Sequence, residues 1–208
     1  MKRFVIFIIG LLFLTCGIVL TIRSSLGTSP FDALLVGLSK TVGLTPGSWE
    51  VIIALLLIGL NAFLSKQRPE FLALVTALIT GVFIDLWLLM LSPIEWPSAG
   101  LSTFILFGMG LIIMGFGTAL YLHTNIAPIP IDRLMLLIKK ITGMRLLYCK
   151  NLLSLVFLLL ALFFHGPIGI GTILIVLLGG PLLSGFTPLA KQLDIKLSIK
   201  NQKTVPLD

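Results

Sequence analysis

The stretch LGTSPFDALLVGLSK (26–40) interrupts a chain that is otherwise almost continuous hydrocarbon, and it returns one hundred residues later as IAPIPIDRLMLLIKK (126–140). At that offset Gly17/Gly117, Leu20/Leu120, Pro30/Pro130, Asp32/Asp132, Leu34/Leu134, Lys40/Lys140 and Gly43/Gly143 coincide without a gap, giving a shared P-x-D-x-L-x5-K-x2-G. Leucine matches carry little weight in so apolar a sequence. The co-registered Pro, Asp, Lys and Gly carry the argument for two related halves.

The surroundings of the repeat set its context. Of 208 residues, 57% are hydrophobic and only 11% charged, and the mean hydropathy is +1.13, far from the roughly one-quarter charged composition of a soluble domain. The chain reads as an all-α integral membrane protein. Six runs, about 4–22, 49–65, 71–91, 100–122, 146–164 and 169–189, approach the ~20 apolar residues that a bilayer crossing needs. The pieces at 30–42 and 130–142 are only about 20 Å long at ~1.5 Å per residue, too short to cross, and are expected as half-helices or interfacial helices.

Charge gives the orientation, because Lys and Arg stay on the cytoplasmic side. With the N-terminus inside, thirteen of the fifteen basic residues fall in cytoplasmic connections and only Arg23 and Lys40 outside. The loops SPIEWPSAG (92–100) and HGP (165–167) hold no Lys or Arg, as external connections should. Met1-Lys2-Arg3 followed by an apolar run has the start of a signal peptide, but the run is long and lacks a small-x-small cleavage site, so it reads as a retained first span. The net charge of +7 is scattered between spans, leaving no basic surface for nucleic acid.

Three spans per half is an odd number, so the second copy enters the membrane upside down. The expected architecture is two inverted 3+3 repeats, 1–92 and 100–190, each with a broken or half-helix after its first span, followed by a basic cytoplasmic tail at 191–208. Many secondary transporters are built this way.

The motif itself has a local meaning. Ser29 suits an N-cap, Pro30 the first helical position, and Asp32 the third, where its carboxylate meets the positive end of the helix dipole. Pro130 and Asp132 repeat this with Ile129 at the cap, so the second helix lacks a side-chain cap. A helix that starts inside a membrane also leaves N–H groups unpaired, which is tolerable only against protein, water or a ligand. Asp32 and Asp132 are therefore read both as structural caps and as candidate substrate or ion ligands.

Asp85, in GVFIDLWLL, stands inside the third span, where a charge costs about 2.5–3.5 kcal/mol on insertion scales. It is the foremost single candidate for coupling or binding, unless solvation at the outer interface or pairing with Arg23 explains it. Arg23 and His123 end spans one and four at matching positions; Arg23 is an interfacial anchor or an anion ligand. Glu50 and Lys150, also at matching positions, read as interface markers, and Asn61 and Asn151 as interhelical hydrogen-bond partners. Gly180-Pro181 and the stretch from Gly185 to Pro188 are expected to break or kink the last span.

Cys16 and Cys149 form neither a metal spacing nor a disulfide framework. No phosphate-binding loop, nucleophile elbow or H-E-x-x-H helix occurs, so no metal, no cofactor and no enzymatic activity is expected. The sequence favours a small secondary transporter, an exporter or permease with a small-molecule or ion substrate and proton coupling. The alternative is a non-transporting accessory protein supporting a biosynthetic or export complex. Lipid is the expected surrounding, and assembly as a homo-oligomer stays open.

The combination of SSLGTSPFDALLVGLS (24–39), GLTPGSW (43–49) and GVFIDLWL (81–88) resembles the YczE/YyaS/YitT group of bacterial multi-pass membrane proteins. The first half carries nearly all of these residues, and Phe31 stands where Trp is at least as familiar. The resemblance implies a protein of the bacterial cytoplasmic membrane without an agreed activity, so it transfers no functional residue.

Overall fold

A computed structural model of the chain describes residues 2–96, 100–124 and 126–202, with side chains at 2, 146, 147 and 193–202 excepted. Among these residues every secondary-structure element is an α-helix: α1 (Lys2–Arg23), α2 (Pro30–Thr41), α3 (Pro46–Ser65), α4 (Phe71–Met90), α5 (Leu101–His123), α6 (Pro130–Thr142), α7 (Leu146–Phe163) and α8 (Ile170–Gln202). Five stretches are long and apolar enough to cross a bilayer: Arg3–Arg23, Pro46–Ser65, Phe71–Met90, Leu101–His123 and Ile170–Gln192. The sixth expected crossing, 146–164, corresponds to α7, an apolar helix of 18 residues whose described stretch Tyr148–Phe163 is shorter than those five.

α1 and α5 cross at their closest along four glycines. A Cβ on Gly17 would stand 2.4 Å from the Met114 backbone nitrogen and 2.6 Å from the Gly110 oxygen, and one on Gly117 would stand 2.2 Å from the Leu14 nitrogen and 2.8 Å from the Gly10 oxygen. Only hydrogen fits, so backbones meet directly, as small residues allow between membrane helices. Because residue 10 lies by 117 and residue 17 by 110, the two helices run antiparallel. α4 packs on α1, and α8 on α5.

α2 and α6 pack elsewhere, α2 on α7 and α6 on α3. Their shared core joins Leu34 and Leu134, Ile53 and Leu153, and Leu57 and Phe157. Each is a pair of residues one hundred apart. One asymmetry stands out: α3 packs along α4, while α7 and α8 barely touch.

The helix starts follow local chemistry. Thr45 caps α3 by accepting from the Ser48 N–H, with Pro46 at the first position. Gly143 closes α6 in the left-handed region at φ 70°, where a residue without Cβ is unstrained. Of the break or kink expected in the last span, the break is absent: α8 continues through Pro181 and Pro188. Membrane helices tolerate such prolines where the freed carbonyls find other partners. Of the expected basic tail, 191–202 continues α8, and 203–208 lie outside the described residues.

Candidate functional site

Between the α1–α4–α5–α8 helices and the α2–α3–α6–α7 helices lies a cavity of about 850 Å³. The first turns of α2 and α6 both face it, presenting Asp32 and Asp132, and α3 and α7 add Glu50 and Lys150. The rest of the wall is mostly apolar, including Phe31, Met114 and Phe157. Four ionisable side chains thus converge from four helices on an otherwise hydrophobic space.

Each carboxylate is held differently. Asp32 is 6% exposed; the Ser29 hydroxyl donates to its Oδ2 at 2.5 Å, while the Asp32 N–H donates to Ser29 Oγ at 3.2 Å. This is the cap that S-x-x-D spacing provides. At the second copy Ile129 has no hydroxyl, and α6 has no side-chain cap. There the Tyr121 hydroxyl, reaching in from α5, donates to Asp132 Oδ2 instead. Glu50, 2% exposed, has no hydrogen-bond or ion-pair partner among the described residues and faces the cavity.

Lys150 lies close enough to Asp132 for their opposite charges to attract. Its Nζ lies beside Gly179 of α8, 3.1 Å from where a Cβ there would project, so that glycine leaves the ammonium its room. Among the described residues, no group of three His, Cys, Asp or Glu side chains is placed to hold a metal ion.

Asp85 and Arg23 lie away from this space. Asp85 accepts from the Gly47 N–H at 2.8 Å and from Thr45 Oγ1 at 2.5 Å, anchoring α4 to the start of α3. Arg23 Nη2 donates to the Leu88 carbonyl at 3.0 Å, at the C-terminal end of α4 where a cation is favoured. The two are not paired with each other. Asn61 donates to the Pro130 carbonyl at 3.0 Å, tying α3 to the start of α6.

Comparison with known proteins places these residues in a family. A family of unknown function, DUF6198, matches residues 1–188. The chain belongs to that family. It is 52% identical over 184 residues to the Bacillus subtilis (strain 168) protein named "Uncharacterized protein YyaS", covering 88% of this chain and 92% of that one. It is 34% identical over 192 residues to "Uncharacterized membrane protein YczE" of the same organism, covering 92% and 88%. A Haemophilus influenzae protein, "Uncharacterized protein", is 27% identical over 173 residues, covering 83% and 78%. No solved structure matches. The relatives and the apolar helices together make this DUF6198 chain a multi-pass membrane protein.

Sequence reasoning took Glu50 and Lys150 for interface markers, and the fold corrects this for both. α3 begins at Pro46, so Glu50 lies in its second turn rather than at a mouth, and it is buried. Lys150 is half-buried and lines the same cavity. The available signal was their shared register: opposite charges one hundred residues apart, in segments whose copies pack around one centre. Tyr121 carried no such signal, because its counterpart is Thr21.

Proposed function

We propose that this DUF6198 protein is a small secondary transporter whose two halves are inverted repeats moving around the central cavity. The observation that carries the reading is Glu50, a buried carboxylate without a partner among the described residues, facing a cavity of about 850 Å³. A protein that only scaffolds others gains nothing from an uncompensated charge inside it, whereas ionisable residues within membrane helices mark substrate and ion pathways.

The inverted arrangement is supported by the α1–α5 crossing. Adding one hundred to one member of the Gly10–Gly117 contact, and removing it from the other, yields Gly110–Gly17, which is also a contact. Antiparallel helices related in this way need a two-fold axis perpendicular to both, in the membrane plane. Asp32 and Asp132 then sit at related helix starts on opposite approaches to the cavity. With both termini cytoplasmic, as the basic residues favour, Lys40 faces outside and Lys140 inside. The cavity chemistry favours binding and proton or ion coupling over bond-making, and the chain is read as no enzyme.

Reconstitution tests this. Proteoliposomes with an imposed pH gradient, screened against a compound panel, are expected to show substrate-linked proton movement that Glu50→Gln abolishes. A monodisperse, folded protein that moves nothing, yet co-purifies stably with a partner, would replace transport by the accessory role.

A further inference from the structure

We propose that the cavity binds a hydrophobic monovalent organic cation, with Glu50 as its counter-charge; this deepens the transport reading by naming the substrate class of the same site. Asp32 is engaged by Ser29 and lies at the positive end of α2. Asp132 is engaged by the Tyr121 hydroxyl and by the field of Lys150. Glu50, 2% exposed, is the one of the three carboxylates with no hydrogen-bond or ion-pair partner among the described residues. A ligand that pairs with it brings a positive charge.

The rest of the wall selects the body of that ligand. An inorganic cation needs several oxygen ligands close together, and among the described residues no three His, Cys, Asp or Glu side chains are grouped to supply them. The wall instead supplies apolar side chains and aromatic rings, with Phe31 and Phe157 edge to face at 5.1 Å between centroids. Such rings attract a cation through their faces as well as an apolar surface by burial. An anion would meet Lys150 only where Asp132 already balances it. The cavity is also walled by Gly179 to Ser184 of α8 and by Lys150 and Ser154 of α7, two helices that hardly touch, and a bilayer-soluble ligand would enter between them.

Tetraphenylphosphonium and tetraphenylborate share a shape and differ in the sign of their charge. Equilibrium binding of each to the full chain in nanodiscs, with empty nanodiscs subtracted, is expected to be saturable for the phosphonium alone. Glu50→Gln should weaken it by about thirtyfold or more, as loss of one member of a buried charge pair does, and Glu50→Asp should keep most of it. Equal binding of the two probes, no saturable binding, or an unchanged Glu50→Gln affinity overturns the proposal. Should Glu50→Gln not fold, the wild-type probe pair still decides. Ser154→Phe, which fills the cavity and keeps every charge, is expected to lose binding, and unchanged binding there places the probe elsewhere and overturns the assignment. Phosphonium binding without flux of any compound would leave this site and remove transport; flux of a neutral compound without phosphonium binding would do the reverse.

Discussion

Replacing Asp85 by alanine separates a carboxylate that builds the protein from one that works in it. Asp85 accepts two hydrogen bonds at the start of α3, from the Gly47 N–H at 2.8 Å and from Thr45 at 2.5 Å. Bonds to a charged acceptor contribute about 1.5–3 kcal/mol each when buried, and a lost cap costs about 1 kcal/mol. Asp85 is only half-buried, so about 2 kcal/mol in total is the reasonable sum. For a chain of this length that lowers the melting midpoint by about 4–8 °C. Detergent-solubilised wild type and Asp85→Ala, heated and measured for monodisperse protein by size exclusion, should differ by that amount. Flux or ligand binding per folded molecule should match. Glu50→Gln should do the opposite, with no loss of midpoint, since a buried unpartnered charge is removed, and with loss of activity. An Asp85→Ala protein of unchanged midpoint that has lost activity would refute the division of roles.

Gly117→Ala would place a Cβ 2.2 Å from the Leu14 nitrogen, forcing α1 and α5 apart by about 1 Å; overpacking of about 3 kcal/mol, less the roughly 1 kcal/mol that Ala gains over Gly in a helix, leaves a fall of about 4–8 °C. Gly108→Ala, in the same helix with nothing within 4 Å, should raise the midpoint by about 2–4 °C, and equal behaviour of the two variants in the same heating assay would count against the crossing. Ser29→Ala removes the hydroxyl that both caps α2 and engages Asp32, and should lower the midpoint by about 2–4 °C, reflecting about 1 kcal/mol. Single cysteines replacing Lys40 or Lys140 in a chain without Cys16 and Cys149, probed on intact cells with an impermeant thiol reagent, should label from outside at 40 only; labelling of both would remove the inverted arrangement.

What could be read from the sequence was what hydropathy and register encode. Lipid is the solvent for most of these side chains, so helix number and length follow largely from runs of apolar residues, and the P-x-D copies located α2 and α6 because Pro and Asp favour a helix start wherever the helix lies. The site was half legible for the same reason: Asp32 and Asp132 are distinctive locally, and both line the cavity. Tertiary packing alone decided the rest. In the sequence Asp85 stands inside an apolar span and Glu50 at the start of one, which favours Asp85, and only the packing of α3 turns Asp85 to a backbone N–H and Glu50 to the cavity. Which charge is satisfied depends on neighbours far away in the chain, and a linear pattern holds no information about them.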